Sequence, residues 1–155
     1  MKRLFIFFIS CVNILTLWAH DFEVDGIYYN ITSSEDRTVE VTYKGTSYQN
    51  WGNEYTGNII IPSYVINEGI KYLVKNIGAW AFGECQYVEA VQLPDGIVNI
   101  GEAAFYRCSK LKTVNIPDGV VNIERWAFSS CGSLKTINIP NSVANIGRAT
   151  FSNCI

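Results

Sequence analysis

The stretch "IGEAAFYRCSKLKTVNIPDGVVN" runs from Ile100 to Asn122, and "IERWAFSSCGSLKTINIPNSVAN" follows it directly from Ile123 to Asn145. The two are variants of one 23-residue plan. Aligned on phenylalanine, Phe82, Phe105, Phe128 and Phe151 stand 23 residues apart. Cys85, Cys108, Cys131 and Cys154 keep the same interval, as do Pro94, Pro117 and Pro140, and Asn99, Asn122 and Asn145. Four residue types holding one period without a slip mark an internal repeat. Periods of this length belong to stacked arrays.

Each position in the repeat has a physical use. In "LKTVNI" (Leu111 to Ile116), Val114 and Ile116 are two residues apart and share one face of a strand, while Asn115 points the other way. "LKTINI" (Leu134 to Ile139) repeats the pattern and predicts a second such strand. Pro117 and Pro140 follow at once and end each strand by removing a ladder donor. "PDG" turns the chain, a short extended piece follows around Val121 to Ile123, and the "AF" segment is predicted to be one tight helical or 3₁₀ turn. One coil cannot bury its own Ile, Phe, Leu and Val side chains. Stacked coils bury each other, with strands about 4.8 Å apart. The fold class that follows is a β-rich repeat solenoid with Phe105 and Phe128 in its core.

The pattern I-G-x-x-A-F-x-x-C-x-x-L-x-x-V-x-I-P-x-x-V resembles the BspA-type leucine-rich repeat found in many bacterial surface proteins. The resemblance covers residues 57–155. The first full copy, 77–99, is looser, with Val88 in the Leu position. Full copies follow at 100–122 and 123–145, and a partial copy at 146–155. The resemblance implies a leucine-rich-repeat (BspA-like) solenoid of 23-residue coils. It also implies a protein-binding or adhesive role at the cell surface, with no catalytic residues to carry over.

Ahead of the repeats, residues 1–20 read as a secretory signal peptide. Lys2 and Arg3 precede an apolar run, and Ala19 is a small residue before the acidic start of the next segment. The chain is therefore expected to be secreted or at the cell surface. Cys11 reads as hydrophobic filler within that run. Residues 21–56 read as a β cap. Asp25-Gly26 signals a hairpin, Ser33 to Arg37 a polar turn, and "TVEVTY" (Thr38 to Tyr43) a half-buried strand. "GNIIIP" (Gly57 to Pro62) resembles the end of a repeat, and Asn67-Glu68-Gly69 predicts a small hairpin inserted in the first coil.

Several function classes fall away. The whole chain has 155 residues and a net charge of −2; without residues 1–20 it carries 10 basic and 14 acidic residues, a net of −4. No basic stripe is present for nucleic acid. The four cysteines of the repeats share one slot, so their Cβ vectors run parallel at the rung spacing. That is wider than the roughly 3.8 Å of a relaxed disulfide, and a ladder of buried free thiols is expected. A linear ladder cannot surround a tetrahedral metal, and no cofactor is implied. His20, the only histidine, lies at the expected cleavage site, which excludes Ser-His-Asp and Cys-His catalysis. Glu102, Asp118 and Glu124 read as solvated charges rather than a catalytic carboxylate pair. The chain is read as non-enzymatic.

Two surfaces could bind. On the main strands the outward residues stack in rows: Glu89, Lys112 and Lys135; Ala90, Thr113 and Thr136; Gln92, Asn115 and Asn138. This polar strip is either a protein-binding face or a solubilising one. The second surface is the aromatic set Tyr43, Tyr48, Trp51, Tyr55, Tyr64 and Tyr72, which would bind glycans if exposed and build the cap if buried. The third full copy, with Leu134, Ile137 and Ile139, is expected to present an unpaired edge open to self-association.

Overall fold

The computed structural model describes residues 20–45 and 55–154. The expected signal peptide, Cys11, Tyr48 and Trp51 lie outside the described residues, apart from His20.

Asp25 and Gly26 both take left-handed backbone, with φ of 51° and 77°. A two-residue hairpin loop of the mirror-image type requires this. They join β1 (Phe22–Val24) to β2 (Ile27–Ser33), and a polar turn leads on to β3 (Thr38–Thr42). The three strands form an antiparallel meander. The far edge of β3 pairs in parallel with β6 (Ile70–Ile77), setting Val39 beside Val74 and Val41 beside Ile77. β3 thus stands where a preceding rung would stand, and it covers the first coil. β5 (Tyr64–Asn67) folds back on β6 through Glu68-Gly69, the inserted hairpin expected from the sequence.

From β6 the sheet continues as a stack of two-residue rungs. β8 (Asn99–Ile100), β10 (Asn122–Ile123) and β11 (Asn145–Ile146) pair in parallel and in register. A second sheet, also parallel, is built from β4 (Gly57–Ile60), β7 (Val88–Gln92) and β9 (Thr113–Asn115). Between the sheets lies the expected core. Phe82, Phe105, Phe128 and Phe151 stack face to face with ring centroids 5.0, 5.1 and 5.6 Å apart. Tyr55 closes the N-terminal end of this column, 4.7 Å from Phe82, and its hydroxyl donates to the Thr42 carbonyl at 2.7 Å. Cys85, Cys108, Cys131 and Cys154 are unbridged. Cys108, Cys131 and Cys154 each donate Sγ–H to a carbonyl of the rung before, Phe82, Phe105 and Phe128, at 3.0 Å. Burial raises the Cys108 thiol well above its usual range and pushes Cys131 up to about 12, so both are inert thiols.

Two local expectations give way. The "AF" segment is not a helical or 3₁₀ turn. In the middle rung Ala104, Tyr106 and Cys108 donate back three residues, to Gly101, Ala103 and Phe105. The alternate amides of Ala103, Phe105 and Arg107 donate instead to Arg125, Ala127 and Ser129 of the next rung, at 2.7–3.0 Å. Ala103 and Arg107 sit at φ of 53° and 56°, which breaks any helical run after each turn. Half the amides are therefore committed to stacking. Second, residues 134–139 form no strand with β9, although their pattern repeats that of β9. Ile137 and Ile139 are only partly buried there, and among the described residues the sheet β4–β7–β9 ends at β9. Among the described residues, no helix is long and apolar enough to cross a membrane.

Candidate binding surface

The parallel sheet β4–β7–β9 presents its outward side chains in two rows set by the register. Asn58 lies beside Ala90 and Thr113, and Ile60 beside Gln92 and Asn115. Together these six line a shallow depression of about 680 Å³. The expected strip residues Gln92, Thr113 and Asn115 are therefore brought together. Glu89 and Lys112 meet at its margin in an ion pair of 2.7 Å, which holds the exposed Glu89 carboxyl below its usual range. Lys135, Thr136 and Asn138 are exposed but lie on the unpaired segment after β9, so the structure does not extend the ladder to them.

The sequence reading missed two features of this face. Ile60 is 70% exposed, an apolar side chain in a polar row. Its signal was present in "GNIIIP", where alternation puts Ile59 inward and Ile60 outward. Asn115, although exposed, is also held by the backbone of the rung before it. Its side-chain oxygen accepts from the Leu93 amide at 2.8 Å and its nitrogen donates to the Leu93 carbonyl at 3.0 Å. It therefore braces the strand end ahead of Pro94.

The N-terminal aromatics divide. Tyr55 and Tyr72 are buried, at 2% and 7% exposure, and build the cap. Tyr43 is half-buried, and Tyr64 is exposed beneath the Lys71 ammonium, which sits 4.0 Å from its ring centre. The described members do not form one open aromatic platform.

A further ladder runs along the two-residue rungs. Asn99 donates to Asn76, Asn122 to Asn99, and Asn145 to Asn122, at 3.0, 2.6 and 2.7 Å. Asn76 lies opposite Glu40 of β3. The period of three of these asparagines was visible in the sequence; their role as an amide ladder was not.

The description "BspA type Leucine rich repeat region" matches residues 57–155 in 6 copies. The chain belongs to this family. The solved structures agree with the BspA-type assignment. A leucine-rich repeat protein from Bacteroides ovatus superposes with a TM-score of 0.75 at 37% identity, covering 86% of this chain and 33% of its own. A second, from Bacteroides capillosus, gives 0.71 at 29% identity over 86% of this chain and 93% of its own. A leucine rich cell surface protein from Faecalibacterium prausnitzii gives 0.62 at 26% identity, over 86% and 40%. The chain thus spans about a third of the length of the Bacteroides ovatus structure. No curated protein matches the chain. As a BspA-type repeat protein it falls among interaction modules, and nothing in its relatives points to catalysis.

Proposed function

We propose that the chain is an exported, non-enzymatic module that binds protein ligands at the bacterial surface through the sheet β4–β7–β9. The observation that carries this reading is Ile60, largely exposed at the β4 end of the row it forms with Gln92 and Asn115, next to the row of Asn58, Ala90 and Thr113. An exposed apolar anchor beside polar side chains, with the paired charges Glu89 and Lys112 at the margin, has the anatomy of a protein interface. Candidate contacts for such a ligand are Glu89, Gln92, Lys112, Thr113 and Asn115, with Lys135, Thr136 and Asn138 beyond them. Partners of the matching kind are proteins of host or microbial surfaces. The surface location draws on the Faecalibacterium prausnitzii relative, which is described as a cell surface protein.

Pull-down with immobilised extracellular-matrix proteins, followed by titration of the captured ligand, tests the reading. Ile60→Asp should weaken capture by about tenfold or more, the effect of losing a hot-spot contact. The fold should persist, because the side chain is exposed. Undiminished capture by Ile60→Asp would place the interface elsewhere.

A further inference from the structure

The turn segments of the solenoid carry a second surface, on a different face from the sheet β4–β7–β9. One backbone slot in each rung, occupied by Trp80, Ala103, Trp126 and Ala149, is left-handed, with φ of 60°, 53°, 58° and 55°. Gly or Asn suits such a slot best, and a bulky residue is an outlier there. Ala103 shows that the stack closes without an aromatic. Trp126 is 38% exposed, so burial does not explain it either. Neither backbone nor core requires tryptophan at this position.

The two tryptophans stand two rungs apart, at about 10 Å by the rung spacing. Tyr106 enters the interval edge-on to Trp80, with ring centres 5.4 Å apart. A groove of about 370 Å³ lies between these rings and Trp126, and Ser130, Ser152 and Asn153 line it. Among the described residues, no protein group engages the side chains of those three. Arg107 lies over Tyr106 and Arg125 over Trp126, at 5.1 and 4.9 Å. Both guanidinium groups are already neutralised, by Glu84 at 3.0 Å and Glu102 at 2.8 Å.

We infer that this groove binds a neutral glycan whose pyranose rings carry equatorial substituents. The apolar C–H face of such a ring stacks on an aromatic side chain, and its hydroxyl rim both donates and accepts. Serine hydroxyls and an asparagine amide meet that rim with the same versatility. The stacked arginines hold Tyr106 and Trp126 in place before binding, which lowers the ordering cost. Their paired carboxylates neutralise both of these guanidinium groups, so neither offers a free charge to a phosphate or sulfate. A proline-rich peptide would also use aromatic walls, but it offers few donors to the unpartnered hydroxyls and amide. This inference goes beyond the protein-binding reading and stands whichever way that test falls.

The test titrates the protein with cellohexaose and with hexa-N-acetylchitohexaose, by calorimetry and tryptophan fluorescence. A decaproline peptide and a heparin hexasaccharide serve as competing arms. Saturable binding of at least one neutral hexasaccharide is expected at low millimolar concentration or below. Trp126→Ala should weaken it about tenfold, Trp126→Tyr should restore most of it, and Ser152→Ala with Asn153→Ala should weaken it in part. All variants are exposed-site changes and should keep the wild-type circular dichroism. Three results overturn the inference: no binding of either neutral sugar, binding undiminished by Trp126→Ala, or Trp126-dependent binding of decaproline or heparin alone.

Discussion

At the scale of the residue, the cap and the array meet at Glu40. This carboxyl is largely buried, and burial raises it above its usual range; the Asn30 amide at 3.5 Å opposes the shift only weakly. A carboxyl with a raised folded-state pKa holds its proton more tightly when folded. The protonated form therefore adds stability below the unfolded value, near 4.3, and that stability is lost as pH rises through the folded value. At pH 7 the charged Glu40 is a cost. Glu40→Gln imitates the protonated acid and can still accept from Asn30. It should stabilise the protein by roughly 1 kcal/mol at neutral pH. Thermal unfolding of both forms across the acid range measures this, and the advantage should close as pH falls toward 4. A variant less stable than wild type at pH 7 would mean that the charged form is held by a partner stronger than Asn30.

At the scale of the element, the period of 23 made the rungs, the Phe column and the Cys ladder legible, because stacking in register repeats the demand on each slot. The hairpins at Asp25-Gly26 and Glu68-Gly69 were legible for a local reason, the left-handed backbone their turns need. The chain of turns around Phe105 was not. Its shape depends on alternate amides reaching the next rung, a long-range commitment that no local pattern records. The strand expected at 134–139 failed for the same kind of reason: the pattern supplies the faces, but pairing must come from neighbours. The groove at Trp126 did leave a trace in the sequence. Trp80 and Trp126 break the plan at a slot where Ala103 and Ala149 suffice. The asparagine ladder offers a sharp test of element-level cooperation. Asn122 donates to Asn99 and accepts from Asn145, at 2.6 and 2.7 Å. Asn122→Asp keeps the acceptor but sets a carboxylate oxygen against the Asn99 carbonyl oxygen. It should cost about 1–3 kcal/mol in denaturant unfolding at pH 7, with part of the loss recovered at acid pH. An unchanged midpoint would show that the ladder contributes no net stability.

At the scale of the whole molecule, the rungs touch only their neighbours, so stability should vary along the array rather than belong to one cooperative block. The N-terminal side is well held. β3 pairs with β6, Tyr55 covers the Phe column, and the Val39, Val41, Val74 and Ile77 side chains are all essentially buried. The far side is looser. Residues 134–139 make no ladder, Ile146 is exposed, and Phe151 and Cys154 are only partly buried, whereas Phe82, Phe105 and Cys108 are fully enclosed. Sub-global opening should therefore begin there, since low local burial and unpaired backbone define the weak end of a fold. Native-state hydrogen exchange should show it as a gradient. The amides of Val91, Phe105 and Val114 should be protected most, and those of Ile137 and Ile139 least. Phe105→Ala, at about 3–5 kcal/mol, should lower protection in the rungs on both sides of it. Leu134→Ala, in contrast, should loosen only the rungs that follow β9. Uniform protection from the cap to Phe151, or equal loss everywhere in both variants, would mean that the array unfolds as a single unit despite its nearest-neighbour contacts.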